Sequence, residues 1–240
     1  MTVRFLPSGD TAIVVEFGDR IDRELNQRVL RLNTAVRAAR IPGVVETLPT
    51  FRSLMVHYDP LLTQCATLIT IIERLLDAGT DDARPAKVWR IPACYEGRHA
   101  PDLDEVARRS TLSPAEVVRL HSITQYQVYM IGFSPGFPYM GDVPEPLALP
   151  RRTDPRVRVP AGSIAIAAGM TSIYPLESPG GWHLIGATPA RLFDLSWTQP
   201  ALLAPGDSVC FEPIGSREFD AIQAAVASGS YRVACDTIAP

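Results

Sequence analysis

The chain has 240 residues, of which 46% are hydrophobic and 20% are charged, a balance typical of a globular protein with an apolar core. A formal net charge of -3 without any basic run gives no indication of nucleic-acid binding, and no apolar run is long enough to span a membrane. The N-terminus lacks the pattern of a signal peptide, and the four cysteines show neither CxxC spacing nor nearby histidines. We therefore expect reduced thiols, no metal site and a cytoplasmic protein.

The first third of the chain alternates predicted strands and helices. Helical spacing along one apolar stripe predicts a helix over 21–39. Residues 61–76 are apolar around most of the helical circumference, so we expect a second, well-buried helix there. Strands are predicted over 3–5, 11–17, 44–48, 53–58 and 87–92. The order β-β-α-β-β-α-β indicates a compact α/β unit over roughly residues 1–90.

The second part of the chain opens with two short predicted helices, over 100–109 and 113–122. Ser113 as N-cap, Pro114 at the first helical position and Glu116 in a capping box mark the start of the second helix. Further strands are predicted over 125–131, 163–168, 182–185 and 209–214, a last helix over 217–227, and a short β segment or an unstructured tail after it.

Residues 132–189 hold 10 of the 22 prolines and 8 of the 16 glycines. Such a density is typical of a flexible linker or of a loop-rich region. Apolar runs and large aromatic residues stand between the turns, whereas a disordered linker is polar and poor in aromatics. The stretch therefore predicts a β-domain whose turns are fixed by proline and glycine.

Residues 132–136, Gly-Phe-Ser-Pro-Gly, match the G-x-S-x-G pattern of a hydrolase nucleophile elbow. An elbow needs a helix directly after the serine, and Gly136 and Pro138 oppose a helix there. His183 is the only later histidine, and no acidic partner stands in a hydrolase order. We favour a rigid, aromatic-bearing turn over a serine nucleophile.

Four arginines fall within eight residues, between three prolines. Rigid flanking prolines favour Arg151 and Arg156 as preset forks that clamp a carboxylate or a phosphate. For Arg152 and Arg158 we favour a solvated loop. No GxxxxGK[ST] sequence occurs, so a phosphate-binding loop of that kind is excluded.

The sequence Ser178-Pro179-Gly180-Gly181-Trp182 combines a hydroxyl group, bare backbone N–H groups and an indole. One interpretation is an anion-binding nest beside an apolar wall; the other is a strained hairpin turn with a core tryptophan. The neighbouring His183 is expected to face out of a strand.

Other polar groups complete a candidate site. His121 lies at the end of a capped helix, where it can interact with the helix dipole. Thr171 and Tyr174 stand beside the SPGGW turn as hydrogen-bonding groups, and the aromatic residues Phe137 and Tyr139 suit either a pocket lining or a protein-binding surface.

Several long motifs resemble the KipI / allophanate hydrolase subunit 1 family, whose bacterial members include 5-oxoprolinase B-type subunits. They are the segment 90–97 (RIPACYEG), Pro101-Asp102-Leu103, GFSPGFPYMG, VPAGSIAIA from Val159, and IYPLESPGGWHLIGATP from Ile173. The resemblance covers nearly the whole chain. It implies an α+β fold of two domains, with a small N-terminal α/β domain over 1–85 and a C-terminal cyclophilin-like β-barrel over 86–240.

The resemblance also implies a reaction and partners: ATP-dependent opening of the 5-oxo-L-proline lactam to L-glutamate, with a C-type subunit (a KipA-type protein) and an A-type subunit of the LamB/YcsF type. ATP would be bound by, or shared with, a partner, and we expect the chain to be inactive alone. Because the reaction needs cations for phosphate and donors for an oxyanion, we assign catalytic roles to Arg151, Arg156, Tyr174 and His121. We assign substrate binding to Phe137, Tyr139, Thr171, Ser178, Gly180, Gly181 and Trp182.

The chain departs from the family pattern at three positions. Met170 and Ser172 stand where relatives have glutamine and glycine, and Ala187 stands where they have arginine. These changes leave open a paralogue with another substrate, such as an allophanate- or urea-type amidohydrolase subunit. A regulatory protein that inhibits a sensor histidine kinase is the alternative from another functional class.

Overall fold

The computed structural model describes residues 3–78 and 85–237. The chain divides into two compact units, and the division falls between Pro85 and Ala86. The first unit combines an antiparallel sheet with two helices, and the second is built on a β-barrel, so the predicted α+β fold class is confirmed.

The N-terminal unit is a four-stranded antiparallel sheet with two helices. Its strands run in the spatial order β1-β2-β4-β3, and alternate residues of the central strands, such as Ile13 and Leu54, are fully buried with Val29 and Ile72 of the helices. Asp22 caps the first helix by accepting a hydrogen bond from the Leu25 N–H. The elements are β1 (Arg4–Pro7), β2 (Ala12–Glu16), α1 (Arg23–Ala39), β3 (Val44–Pro49), β4 (Ser53–Tyr58) and α2 (Cys65–Ala78).

Helix α2 differs from its prediction at the N-terminal end. It begins at Cys65 because Asp59 organises a turn: its carboxylate accepts from the Leu61 N–H at 2.9 Å and its carbonyl accepts from the next two N–H groups. Leu61 is consequently 92% exposed, and only Leu68 and Ile72 of the helix are fully enclosed. The expectation of a well-buried helix from residue 61 is therefore wrong.

The C-terminal unit contains a closed barrel of seven strands. The barrel order is β12-β9-β10-β7-β6-β13-β5, and a pairing of Ala187 with Cys94 joins β12 back to β5. Strand β14 adds to β5 outside the barrel, and β8 and β11 form a separate two-stranded sheet. The elements are β5 (Lys87–Cys94), α3 (Leu103–Arg109), α4 (Pro114–Ile123), β6 (Tyr126–Ile131), β7 (Pro138–Met140), β8 (Arg156–Val159), β9 (Ser163–Ala167), β10 (Met170–Ile173), β11 (Ser178–Gly180), β12 (His183–Ala187), β13 (Ser208–Ile214), α5 (Ser216–Ala227) and β14 (Ala234–Thr237).

Strand β5 belongs to the barrel and not to the N-terminal unit in which the order of elements had placed it. It pairs in parallel with β13 from Val88 to Cys94, and β14 pairs with it in antiparallel fashion. A strand takes its sheet from the partners that complete its hydrogen bonds, and those partners lie more than a hundred residues later in the chain.

The predicted start of α4 is confirmed. Ser113 accepts a hydrogen bond from the Glu116 N–H while the Glu116 carboxylate accepts from the Ser113 N–H, and Pro114 is the first helical residue. The helix directs Val117 and His121 into the barrel core, where they join Tyr126, Phe211 and the strand residues around them.

Candidate functional site

Three aromatic residues predicted to bind substrate and the predicted catalytic Tyr174 meet in one cluster, hereafter the aromatic cluster: Phe137, Tyr139, Tyr174 and Trp182. Phe137 lies at its centre, with ring centroids 5.1 Å from Tyr174 and 6.1 Å from Trp182, both edge-to-face. Tyr139 contacts both Phe137 and Trp182 and is half-buried. The cluster is a small core of its own, separate from the main barrel core, and Met170 packs against it.

The turn that leads into the cluster is not a nucleophile elbow. Phe133 and Gly136 have φ values of 66° and 77°, and strand β7 begins at Pro138 without an intervening helix. The rigid aromatic turn is therefore confirmed over the serine nucleophile. The turn leaves the Phe133 ring 64% exposed at the edge of the cluster, 5.2 Å from Phe137.

Arg151 provides a positive charge beside the cluster. Its guanidinium carbon lies 6.0 Å from the Trp182 ring centroid, its side chain is exposed, and within residues 3–78 and 85–237 it forms no salt bridge. Burial raises the pKa of Tyr139, an effect that Arg151 partly offsets, and burial raises the pKa of Tyr174 to about 12. Both phenol groups are therefore neutral and able to donate hydrogen bonds near neutral pH.

Arg156, predicted as the second arm of an anion clamp, is already paired. Its two Nη atoms donate to the Asp102 carboxylate at 2.9 and 2.6 Å. Arg152 joins the same carboxylate at 3.2 Å, so the solvated position predicted for Arg152 is wrong. Arg158 does lie in an exposed ion pair, with Glu177. Arg151 is thus the arginine of this segment whose guanidinium remains available to a ligand.

The SPGG segment forms strand β11 instead of a tight turn. It pairs with β8, and neither Gly180 nor Gly181 has a positive φ, so the alternating backbone of an anion-binding nest is not formed. Gly180 is required for another reason, because a Cβ there would overlap the Tyr174 hydroxyl. The Ser178 Oγ is buried and has no hydrogen-bond partner among the described residues.

His121 and Thr171 lie apart from the aromatic cluster, in a hydrogen-bonded chain that we call the His121 network. The Thr171 hydroxyl donates to the Ala165 carbonyl, so its oxygen accepts from the His121 Nε2–H at 2.9 Å. His121 Nδ1 is then the acceptor for the Tyr95 hydroxyl at 2.8 Å. Burial lowers the pKa of His121 to about 3, which keeps the ring neutral, and both of its nitrogens are satisfied.

Two residues near the arginines were misjudged or missed from the sequence. His183 does not face outward: it is buried, and its Nε2–H donates to the Pro150 carbonyl at 3.0 Å. Asp102 stands directly before α3, where an aspartate is typical of an N-cap. Its side chain makes no capping hydrogen bond and instead forms ion pairs with Arg152 and Arg156. The signal available in the sequence was the place of Asp102 in the family motif Pro101-Asp102-Leu103.

The three departures from the family pattern occupy different environments. Met170 borders the aromatic cluster, so a substitution there changes the wall of the site. The Ser172 hydroxyl donates to the Pro138 carbonyl at 2.7 Å and ties β10 to β7. Ala187 lies at the pairing that closes the barrel.

Within the described ranges, no group of three or more histidine, cysteine, aspartate or glutamate side chains is placed to hold a metal ion. No helix there is both long and apolar enough to cross a membrane.

Comparison with known proteins gives a consistent family. The chain is 38% identical to the 5-oxoprolinase B-type subunit of Bacillus subtilis over 92% of this chain and 98% of that protein. It is 40% identical to the 5-oxoprolinase B-type subunit of Escherichia coli O157:H7 over 85% of this chain and 93% of that protein. Among solved structures, TTHA0988 matches with a TM-score of 0.76 and 38% identity over 90% of this chain, which spans only 41% of TTHA0988. The family model for the carboxyltransferase domain, subdomain C and D, matches residues 3–203, and the chain belongs to that family.

Proposed function

We propose that this chain is the B-type subunit of an ATP-dependent 5-oxoprolinase, a hydrolase complex that opens the 5-oxo-L-proline lactam to L-glutamate. The observation that carries the proposal is the 38% identity to a 5-oxoprolinase B-type subunit of which 98% is matched. Similarity over the whole length of both proteins supports a shared role better than similarity over one domain, because the site and the surfaces around it are both included.

The reaction explains why one protein chain would not suffice. A lactam carbonyl is a poor electrophile, and phosphorylation of its oxygen by ATP turns that oxygen into a leaving group. Water then adds to the carbonyl carbon, and the ring C–N bond breaks to give an acyl phosphate and a protonated amine. A second water displaces phosphate from the acyl phosphate and leaves L-glutamate. These steps need a nucleotide site, a lactam site and donors for the developing negative charge. We assign part of the lactam site to this chain and the nucleotide to a partner or to a shared surface.

The aromatic cluster and Arg151 form the lactam site in this proposal. The half-buried Tyr139 ring, backed by the buried Trp182 ring, offers an apolar wall for a five-membered ring, and the unpaired Arg151 guanidinium offers a fork for the substrate carboxylate. The neutral Tyr174 hydroxyl donates a hydrogen bond to the substrate in this proposal, or its ring only packs against Phe137. Gly180 and Gly181 shape the site through backbone packing, and Ser178 lies beside them on β11.

Arg156, His121 and Thr171 take supporting roles in the proposal. Arg156 is held by Asp102, and the other two are sealed inside the barrel. A C-type partner and an A-type partner would supply the remaining groups. TTHA0988 supports the first of these, because this chain matches 41% of it and a further region therefore lies on the same polypeptide, as a fused partner would.

The test is reconstitution. The chain is co-expressed with candidate C-type and A-type subunits, the complex is isolated by size-exclusion chromatography, and glutamate and phosphate are measured with 5-oxo-L-proline and ATP. We expect glutamate release that requires all the component proteins and ATP, and none from the chain alone. A stable complex that hydrolyses no 5-oxoproline would contradict the proposal and direct attention to Met170 at the wall of the site.

A second candidate, a regulator that binds a sensor histidine kinase, is favoured by the exposed ring of Phe133. A large aromatic side chain held 64% exposed in a rigid turn is typical of an interface anchor. Failure to bind either the C-type or the A-type protein, together with capture of a purified kinase, would favour this candidate over the enzyme component.

A further inference from the structure

Arg151 lies between two anchored neighbours. The Pro150 carbonyl before it accepts a hydrogen bond from His183 Nε2 at 3.0 Å, and the Arg152 N–H after it donates to the Gly181 carbonyl at 2.8 Å. Residues 150–152 therefore run alongside residues 181–183, with Arg151 opposite Trp182. We call these two segments the clip.

A single buried carboxylate holds both segments of the clip. Asp102 is 4% exposed and accepts from the Leu184 N–H at 2.7 Å, directly after one segment. It also accepts from Arg152 Nη1 at 3.2 Å, within the other segment, and from both Nη atoms of Arg156. The Asp102 N–H returns a hydrogen bond to the Leu184 carbonyl at 2.9 Å.

The charges explain why this carboxylate is hard to replace. The Arg152 and Arg156 side chains are only 24% and 26% exposed, so water compensates their charges incompletely. Without the negative charge of Asp102, two neighbouring guanidinium groups repel each other, and the segment that carries Arg151 loses its side-chain attachment to the segment that carries Trp182.

We infer that Asp102 is a positioning residue that keeps Arg151 over Trp182 without touching the ligand. The inference rests on the proposed function, in which Arg151 binds the carboxylate of 5-oxo-L-proline. The two claims are separable, because Asp102 acts on the position of Arg151 whereas Arg151 acts on the substrate.

A double-mutant cycle tests the inference in the reconstituted complex, with KM and kcat measured for 5-oxo-L-proline at saturating ATP. D102N is nearly isosteric and still accepts from the Leu184 N–H, but it lacks the charge that holds the arginines. We expect D102N to raise KM about tenfold with little change in kcat, the pattern of weakened ground-state and transition-state binding alike. In an R151Q background, D102N should add nothing further. Additive losses would overturn the inference, because Asp102 would then act independently of Arg151.

Glu177 offers a matched control. It pairs with Arg158 at 2.7 Å beside the small β8–β11 sheet, but both side chains are exposed and the pair does not include Asp102 or an arginine of the clip. E177Q should leave KM unchanged. If R151Q leaves KM unchanged, the proposed binding site is refuted and the inference with it; if R151Q raises KM while D102N does not, the inference alone is refuted.

A ligand-free measurement covers the case in which D102N folds poorly or the complex shows no turnover. The chain has three tryptophans, so a ¹⁵N spectrum contains three indole N–H signals. R152Q, which removes the guanidinium that joins residues 150–152 to Asp102 but keeps Asp102 and Arg156, should shift the Trp182 signal and leave those of Trp89 and Trp197 in place. An unshifted Trp182 signal in folded R152Q would overturn the inference whatever the activity.

Discussion

The His121 network and the aromatic cluster lie in the same unit and are linked by one strand, since β10 supplies Thr171 to the first and leads into Tyr174 of the second. In the network every described donor and acceptor has a partner and the imidazole is sealed from water. In the cluster Phe137, Tyr174 and Trp182 are buried as well, but Tyr139 is only half-buried and the neighbouring Arg151 charge is exposed. The difference separates polar groups that stabilise the barrel from polar groups that are available to a ligand.

Removal of His121 should give the largest effect, on stability alone. H121A leaves a cavity and a buried Tyr95 hydroxyl without its acceptor, so we expect a loss of about 3 kcal/mol in the free energy of unfolding, measured by urea denaturation. S122A, on the same helix, should change it by less than about 0.5 kcal/mol. A loss below about 1 kcal/mol for H121A would mean that the His121 hydrogen bonds are not formed or that water replaces them.

Gly180→Ala tests whether the inner side of the aromatic cluster is as tightly packed as the network. The added methyl group would overlap the Tyr174 hydroxyl, and we expect a loss of about 2 kcal/mol in thermal or urea unfolding. Gly181→Ala is the matched control, because its Cβ would meet Pro155 at an ordinary 3.4 Å and should be tolerated. Equal effects of the two substitutions would contradict this packing.

The pH dependence of stability tests whether the His121 imidazole is buried and neutral. Burial lowers the pKa of His121 from 6.5 to about 3, so the unfolded chain binds a proton there at pH values where the folded chain does not. The contribution of neutral His121 to the free energy of unfolding is complete above pH 6.5. It falls by about 1.4 kcal/mol per pH unit as the pH drops toward 3. The non-titrating H121Q variant should lose this part of the slope in urea unfolding between pH 6 and pH 4, and an unchanged slope would argue against a sealed imidazole.

Arg151 should behave in the opposite way to His121. R151Q removes an exposed cation without a salt bridge, so we expect less than about 0.5 kcal/mol of change in stability but an increase of about tenfold in KM for 5-oxo-L-proline. Unfolding curves and steady-state kinetics on the same preparation distinguish the two effects. A destabilised R151Q with unchanged KM would assign Arg151 to the fold.

Phe133→Ser gives the smallest expected change in the isolated chain. The ring is mostly exposed and contacts only the edge of the cluster, so the loss of stability should stay below about 1 kcal/mol. Co-purification with the C-type and A-type proteins then shows whether the ring anchors an interface. Undiminished complex formation by F133S would remove Phe133 from the candidate partner surface.

Elements with clear periodicity were predictable. The helices now called α1, α4 and α5 and the longer strands appear within a few residues of their predicted bounds. Strands β7, β8, β10 and β11 were not predicted separately, because segments of three or four residues rich in proline and glycine carry no measurable period. The structure brings the aromatic residues proposed for the site together, and their role in binding stays a prediction, whereas Asp102 was not singled out from the sequence.

The sequence by itself determined the apolar stripes, the capped start of α4, the rigid turn at Phe133 and the family to which the motifs point, because each depends on neighbouring residues. Only the tertiary structure decided that Arg156 is paired, that Arg151 is exposed beside Trp182 and that His121 is sealed inside the barrel. Those outcomes depend on Asp102, Tyr95 and Thr171, which are distant in sequence and come close only when the barrel closes. Whether a charge or a ring nitrogen can bind a ligand therefore depends on the residues around it in three dimensions, because burial and pairing can withdraw a group from a ligand whatever its residue type.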